Sequence, residues 1–136
     1  MILADTSAWV ELDRATGSTV NLRLRELIAD ARPVGVTEPV VMEVLAGAKD
    51  ERREASLRSL LLSVEFLPFN AAVDFDAAVR VYRRCRAAGV TPRGLIDCMI
   101  AAVAWRNQAS LLSFDRDLAR VAAVVGVPLD PASLGA

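Results

Sequence analysis

The sequence predicts an α/β protein, a three-layer α/β/α sandwich around a central parallel sheet. Three observations carry that prediction. Short apolar runs recur along the chain, and each stops at a turn or capping cluster. Stretches with helical periodicity separate them, as parallel βαβ units require. The 136 residues, 54% hydrophobic and 24% charged, are enough for one core without disulfide staples. We find no repeat, low-complexity tract or linker, so residues 1–136 are expected to form a single domain.

Met1 to Ala4 reads as a strand that stops at Asp5-Thr6-Ser7, a cluster that caps helices well. A helix follows from about Thr6 to Leu12. After the turn at Gly17-Ser18-Thr19, Val20, Leu22, Leu24, Leu27 and Ile28 lie among polar residues, the pattern of an amphipathic helix. Pro33 to Val36 is a short strand ending at Thr37. Thr37-Glu38-Pro39 reads as a helix start, with Pro near the first helical position, and Gly47 as its C-cap. Asp50 to about Leu62 is a charged amphipathic helix. Val64 to Leu67 is a strand stopped by Pro68. Asn70 to about Ala88 is a long helix closed by Gly89. Gly94 to about Asn107 is helical and apolar on nearly every side, so burial is expected. Ala109 to Ser113 is a strand, Asp115 to Val125 a helix, and Val127 to Leu129 a last short strand.

Composition narrows the chemistry. The two cysteines, Cys85 and Cys98, read as reduced thiols in a cytosolic core rather than a disulfide framework. An acid at the fifth residue and no basic lead argue against a secretory signal, and no uncharged run approaches the roughly 18–20 residues of a membrane span. A cytoplasmic protein with no membrane partner is therefore expected. The chain has no His, which excludes a Ser-His-Asp triad and a His-ligated zinc. Lys49 is the single lysine, and Gly47-Ala48-Lys49 is not a phosphate-binding loop. Carboxylates, hydroxyls, arginines and an oxygen-liking metal remain.

Most acids sit in charged strings such as Asp50-Glu51-Arg52-Arg53-Glu54, which read as solvated helix faces. Others lie in apolar surroundings or at strand ends. Asp5 ends the first strand. Glu43 sits inside Val40-Val41-Met42-Glu43-Val44-Leu45, and Asp97 inside Leu95-Ile96-Asp97-Cys98-Met99-Ile100. Asp115 and Asp117 follow the strand that ends at Ser113. Each has a plainer reading: Asp5 as an N-cap, Asp97, Asp115 and Asp117 as first-turn acids favoured by a helix dipole, Glu43 as the partner of a buried Arg. A buried carboxylate must meet a cation, a strong donor or a proton. In a doubly wound sheet, sites lie beyond the carboxyl ends of the strands, near the switch in strand order. Asp5 and Asp115 share that edge, and helix starts can bring Glu43 and Asp97 to it. Clustered carboxylates need a compensating cation, and a hard divalent ion prefers oxygen ligands. Such sites support in-line attack of a metal-bound water on phosphorus without His.

At this point the pattern resembles a known family. Met1-Ile2-Leu3-Ala4-Asp5-Thr6-Ser7, Glu43 on an apolar helix, Leu95-Ile96-Asp97-Cys98-Met99-Ile100-Ala101-Ala102-Val103-Ala104 and Leu111-Leu112-Ser113-Phe114-Asp115-Arg116-Asp117 are similar to the motifs of PIN-domain ribonucleases, in particular VapC-type toxins of bacterial toxin–antitoxin modules. The resemblance runs from Met1 to about Leu129. It implies an α/β/α fold and Mg²⁺- or Mn²⁺-dependent cleavage of RNA, often tRNA or rRNA. Asp5, Glu43, Asp97 and Asp115 match the family's acidic quartet, Asp117 an additional acid, and Ser7 a hydroxyl that orients them. The family often has Thr at the position of Ser113 and an aromatic at that of Leu118. It also implies a homodimer and a small antitoxin that presents a basic side chain to the acids.

On that basis Asp5, Asp97 and Asp115, with Asp117, are expected to hold the ion, and Glu43 to orient or deprotonate the attacking water. The net charge of −1 alone argues against a nucleic-acid partner. Without the five candidate acids, 12 acids face 16 basic residues, so the rest of the chain is net +4. Arg93 and Arg116 are expected to flank the RNA path. Arg80, Arg83 and Arg84 are weaker candidates, and their plainer reading is a solvated face or a partner contact. Trp9 and Trp105 read first as core or interface packing, and second as stacking platforms. Two other functions fit the same acids: a phosphoacceptor signalling domain, for which Lys49 is badly placed, and a non-catalytic module that receives a partner's Arg.

Overall fold

A computed structural model describes residues 1–136. Four parallel strands form one sheet: β1 (Ile2–Ala4), β2 (Val34–Val36), β3 (Glu65–Phe66) and β4 (Ser110–Leu112), in the order β3-β2-β1-β4. Ile2 pairs with Val34 on one side and Ser110 on the other. The helices are α1 (Thr6–Asp13), α2 (Thr19–Ala29), α3 (Glu38–Ala46), α4 (Glu51–Leu62), α5 (Ala71–Ala87), α6 (Leu95–Arg106) and α7 (Arg116–Val125). From β1 to β3 the chain steps one way across the sheet. It then jumps back over β1 to β4. Right-handed crossovers consequently put α1–α4 on one face and α5–α7 on the other. The expected three-layer sandwich is the observed one, and its strand order reverses between β1 and β4.

The helix starts follow from local chemistry. Asp5, Ser18, Asp50, Asn70 and Asp115 each accept a backbone N–H in the first turn of the following helix. Helix α3 has Pro39 in its first turn instead, and Thr37 makes no capping bond. At the other ends, Gly89 (φ +81°) and Gly126 (φ +77°) take the left-handed conformation that closes α5 and α7. Gly47 ends α3 as expected, but with φ −84° it uses none of glycine's special freedom.

Two expected strands are shorter than their apolar runs. β3 keeps only Glu65–Phe66 at the exposed sheet edge, where it needs just β2 as partner. Val127–Leu129 contributes a single bridge, Leu111 to Leu129, because Pro128 has no N–H to continue a ladder. Helix α6 is also less buried than expected. Its middle, Ile100 to Ala104, is buried, whereas Leu95 and Trp105 are 54% and 65% exposed at its two ends. A twelve-residue helix is about 18 Å long, and the three-residue strands beneath it span about 10 Å, so its ends overhang the sheet.

The core is one continuous cluster that joins both helical layers to the sheet. Trp9 belongs to it, 1% exposed, with its indole N–H donated to the Ala4 carbonyl at 3.2 Å. Between α5 and α6 lies a buried charge. Asp74, 1% exposed, accepts from Arg106 Nε and Nη2 at 2.9 and 2.8 Å, and Arg106 also donates to the Pro68 carbonyl at 2.7 Å. That pair fastens the end of α6 to the start of α5.

Candidate active site

Strands β1 and β4 end side by side, and the Asp5 N–H donates to the Leu112 carbonyl at 3.1 Å. The residues that follow therefore share one sheet edge. Asp5, 3% exposed, caps α1 through the Ala8 N–H at 2.9 Å. The same carboxylate accepts from Ser7 Oγ and Ser113 Oγ, both at 2.7 Å. Each serine oxygen in turn accepts a backbone N–H, Ser7 from Phe114 at 2.8 Å and Ser113 from Asp115 at 3.0 Å. The capping reading of Asp5 and its place among the other acids thus hold together. Asp115 caps α7 by accepting the Asp117 N–H at 2.8 Å.

Two helices bring the other acids. Glu43, half-buried on α3, accepts from Thr6 Oγ1 at 2.7 Å, so a hydroxyl takes the place of the buried Arg that its surroundings suggested. Asp97 lies in the first turn of α6. A cavity of about 440 Å³ opens between these elements, and Asp5, Ser7, Glu43, Arg93, Asp97 and Asp115 all line it. Arg93 reaches across it. Its guanidinium donates to Asp115 at 2.5 Å, Asp117 at 3.1 Å and Asp97 at 3.4 Å. The Asp115 bond holds the Arg93 guanidinium above its usual pKa.

The electrostatics are those of crowded acids. Burial pushes the Asp5 carboxyl up to about 6; the Ser7, Ser113 and Ala8 bonds oppose the shift and the Asp115 charge adds to it. Burial also pushes Asp97 up to about 6; Arg93 opposes it, and Asp115, Glu43 and Asp117 reinforce it. Two carboxyls are thus costly to ionise without added positive charge. All the acid donors are oxygens, the chemistry that suits a hard divalent cation rather than zinc. As the side chains stand, no three acids are drawn into a coordinating arrangement, and Arg93 is the guanidinium that reaches Asp97, Asp115 and Asp117 together.

The remaining candidates lie outside this cavity. Asp117 does not line it, has a side chain 41% exposed, and is shared between Arg93 and Arg120. Arg116 is exposed, makes no side-chain hydrogen bond or ion pair, and does not line it either. Arg80, Arg83, Arg84 and Arg86 line a separate cavity of about 730 Å³ that shares no residue with the acid site. Two site residues escaped the sequence reading. From the sequence Thr6 reads only as part of a cap, and Ser113 only as a substitution for Thr. The available signal was a hydroxyl next to a strand-end acid, or two residues before one. Their bonds, however, span 37 and 108 residues of sequence.

The chain is similar to known proteins. A family model described as "PIN domain" matches residues 2–124. "Ribonuclease VapC11" of Mycobacterium tuberculosis is 41% identical over 128 residues, covering 93% of this chain and 96% of that protein. Among solved structures, VapBC2 from Rickettsia felis bound to a promoter DNA fragment superposes with a TM-score of 0.76 at 19% identity, covering 98% of this chain and 99% of the other. A toxin–antitoxin complex from Klebsiella pneumoniae superposes with a TM-score of 0.67 at 20% identity, over 98% and 96% of the two chains.

Proposed function

This chain belongs to the PIN-domain family, as a relative of its VapC-type ribonucleases, and we propose that it is a metal-dependent endoribonuclease, the toxin of a toxin–antitoxin pair. One observation carries the reading: Asp5, Glu43, Asp97 and Asp115 arrive from four elements at one cavity, at the reversal of strand order. The 41% identity to a ribonuclease over 93% of the chain supports the activity.

In this reading Asp5, Asp97 and Asp115 hold a Mg²⁺ or Mn²⁺ ion, with Asp117 adding charge from outside the cavity. The ion, when bound, supplies Lewis-acid charge to the phosphodiester and lowers the pKa of water. Ser7 and Ser113 fix the Asp5 carboxylate through their 2.7 Å bonds. Glu43, held by Thr6, orients a water and takes its proton as the water oxygen attacks phosphorus in line. The bond from phosphorus to the 3′-oxygen breaks, and that oxygen takes a proton from solvent, leaving a 5′-phosphate and a 3′-hydroxyl. Arg93 and Arg116 contact flanking phosphates, since a guanidinium donates bidentately to phosphate. The substrate is an RNA, with tRNA and rRNA the classes the family suggests. An antitoxin partner is supported by the toxin–antitoxin complexes of the same fold. A homodimer and a cytoplasmic location complete the proposal; no helix is long and apolar enough to cross a membrane.

Neither alternative gains an observation. The phosphoacceptor reading needs a lysine among the acids, and Lys49 does not line their cavity. The test is incubation of the purified chain with total RNA in Mn²⁺, with and without chelator, beside Asp97→Ala. Cleavage by the untreated wild type alone is expected. Full-rate cleavage in chelator, or by a folded Asp97→Ala, overturns the proposal.

A further inference from the structure

The most unusual feature of the cavity is a cation that the chain itself supplies. Arg93 stands in the loop before α6, four residues ahead of Asp97. Its Nη2 donates to Asp97 and Asp115, and its Nη1 to Asp117. All three bonds fall on Oδ2 oxygens, so one guanidinium ties together carboxylates from α6 and from the start of α7. Arg93 nevertheless keeps 61% of its side chain exposed. Ion pairs this exposed hold weakly and exchange readily.

We infer that Arg93 is a displaceable internal counter-ion, which occupies the acids until a divalent cation takes their oxygens and turns the guanidinium outward. The inference rests on the metal-dependent reading above. A divalent ion such as Mg²⁺ approaches carboxylate oxygens to about 2.0–2.1 Å. The Arg93 nitrogens already lie against those oxygens, and a second cation there meets like-charge repulsion. Arg93 and the ion therefore compete for Asp97 and Asp115. The competition has a use. Without an ion, three neighbouring acids repel, and Arg93 keeps them gathered. Once released, the same fork stands at the cavity mouth with its five donors free for a phosphate. Arg93 is thus a positioning residue in the empty site and a substrate contact in the loaded one. Arg120 does not replace it, because its guanidinium reaches Asp117 alone.

The test titrates MnCl₂ into wild type, Arg93→Gln, Arg93→Lys and Arg116→Gln, with free Mn²⁺ followed by electron paramagnetic resonance. Circular dichroism checks that each variant is folded. Arg116 carries the same charge nearby but touches no acid, so it controls for bulk electrostatics. Arg93→Gln is expected to bind Mn²⁺ about three- to tenfold more tightly than wild type, the range that weak exposed pairs allow. Arg93→Lys should fall between them, because an ammonium cannot bridge three carboxylates. Arg116→Gln should stay within about twofold of wild type. Unchanged or weaker binding by Arg93→Gln overturns the inference, and so does an equal gain in Arg116→Gln. Both results leave the nuclease reading standing if wild type binds Mn²⁺ and Asp97→Ala does not. Failure of wild type to bind Mn²⁺ at all overturns both.

Discussion

Ser113, at the end of β4, donates a 2.7 Å hydrogen bond to Asp5, at the end of β1, 108 residues earlier in the chain. The bond joins the two strand ends at which the strand order reverses. It also supplies a buried carboxylate with a donor that no neighbour in sequence provides.

Ser113→Ala removes that donor and leaves Asp5 with Ser7 and Ala8. A hydrogen bond to a charged group contributes about 1.5–3 kcal/mol. A loss of that size is expected in urea unfolding at pH 7.5. Ser113→Thr keeps the hydroxyl and should restore most of it, whereas an equal loss in both variants would show that packing, not the bond, matters.

Thr6→Val keeps the shape of the side chain but releases Glu43 from its 2.7 Å partner. If Glu43 works on the attacking water, RNA cleavage should fall about tenfold, the usual cost of losing an outer-shell partner. Mn²⁺ affinity should hardly move, because Thr6 touches none of the proposed ion-holding acids. Single-turnover cleavage and Mn²⁺ titration on one preparation separate the two effects.

Asp5 and Asp97 have folded pKa values of about 6 against 3.8 in the free side chain. The native state therefore binds more protons than the unfolded chain between these values, and stability falls as pH rises from about 4 to about 6. Each shift corresponds to about 3 kcal/mol. Asp5→Asn should flatten this part of the profile and exceed wild type in stability at pH 7.5. Added Mn²⁺ should reverse the trend, since an ion bound only to the native, ionised site stabilises more as the protons leave. Thermal melts across pH 4 to 8, with and without Mn²⁺, test both statements.

Arg106→Ala strands the Asp74 carboxylate, 1% exposed, between α5 and α6. A destabilisation of about 3 kcal/mol is expected. Asp74→Asn combined with Arg106→Met should recover part of it by removing both charges. The pair lies outside the acid cavity, so Mn²⁺ affinity of the folded single variant should equal that of wild type.

The order and kinds of the elements were legible because they depend on short-range features. Apolar runs, caps such as Ser18 and Asn70, and closing glycines such as Gly126 act within a turn of where they stand. Where the reading overran, at Val64–Leu67 and Val127–Leu129, an exposed edge and the missing N–H of Pro128 cut strands that composition alone would extend. The burial expected along the whole Gly94–Asn107 helix failed for a related reason: the sheet beneath it is too short to cover its ends.

The sequence by itself determined which carboxylates were worth attention and which element carries each, because an acid in apolar surroundings or at a strand end is visible locally. Only the tertiary structure decided what each acid touches. Thr6 meets Glu43, Ser113 meets Asp5, and Arg93 spans Asp97, Asp115 and Asp117. Those meetings depend on sheet register and on how α3 and α6 cross the strand ends. That geometry comes from packing the whole core, and no local stretch of sequence contains it.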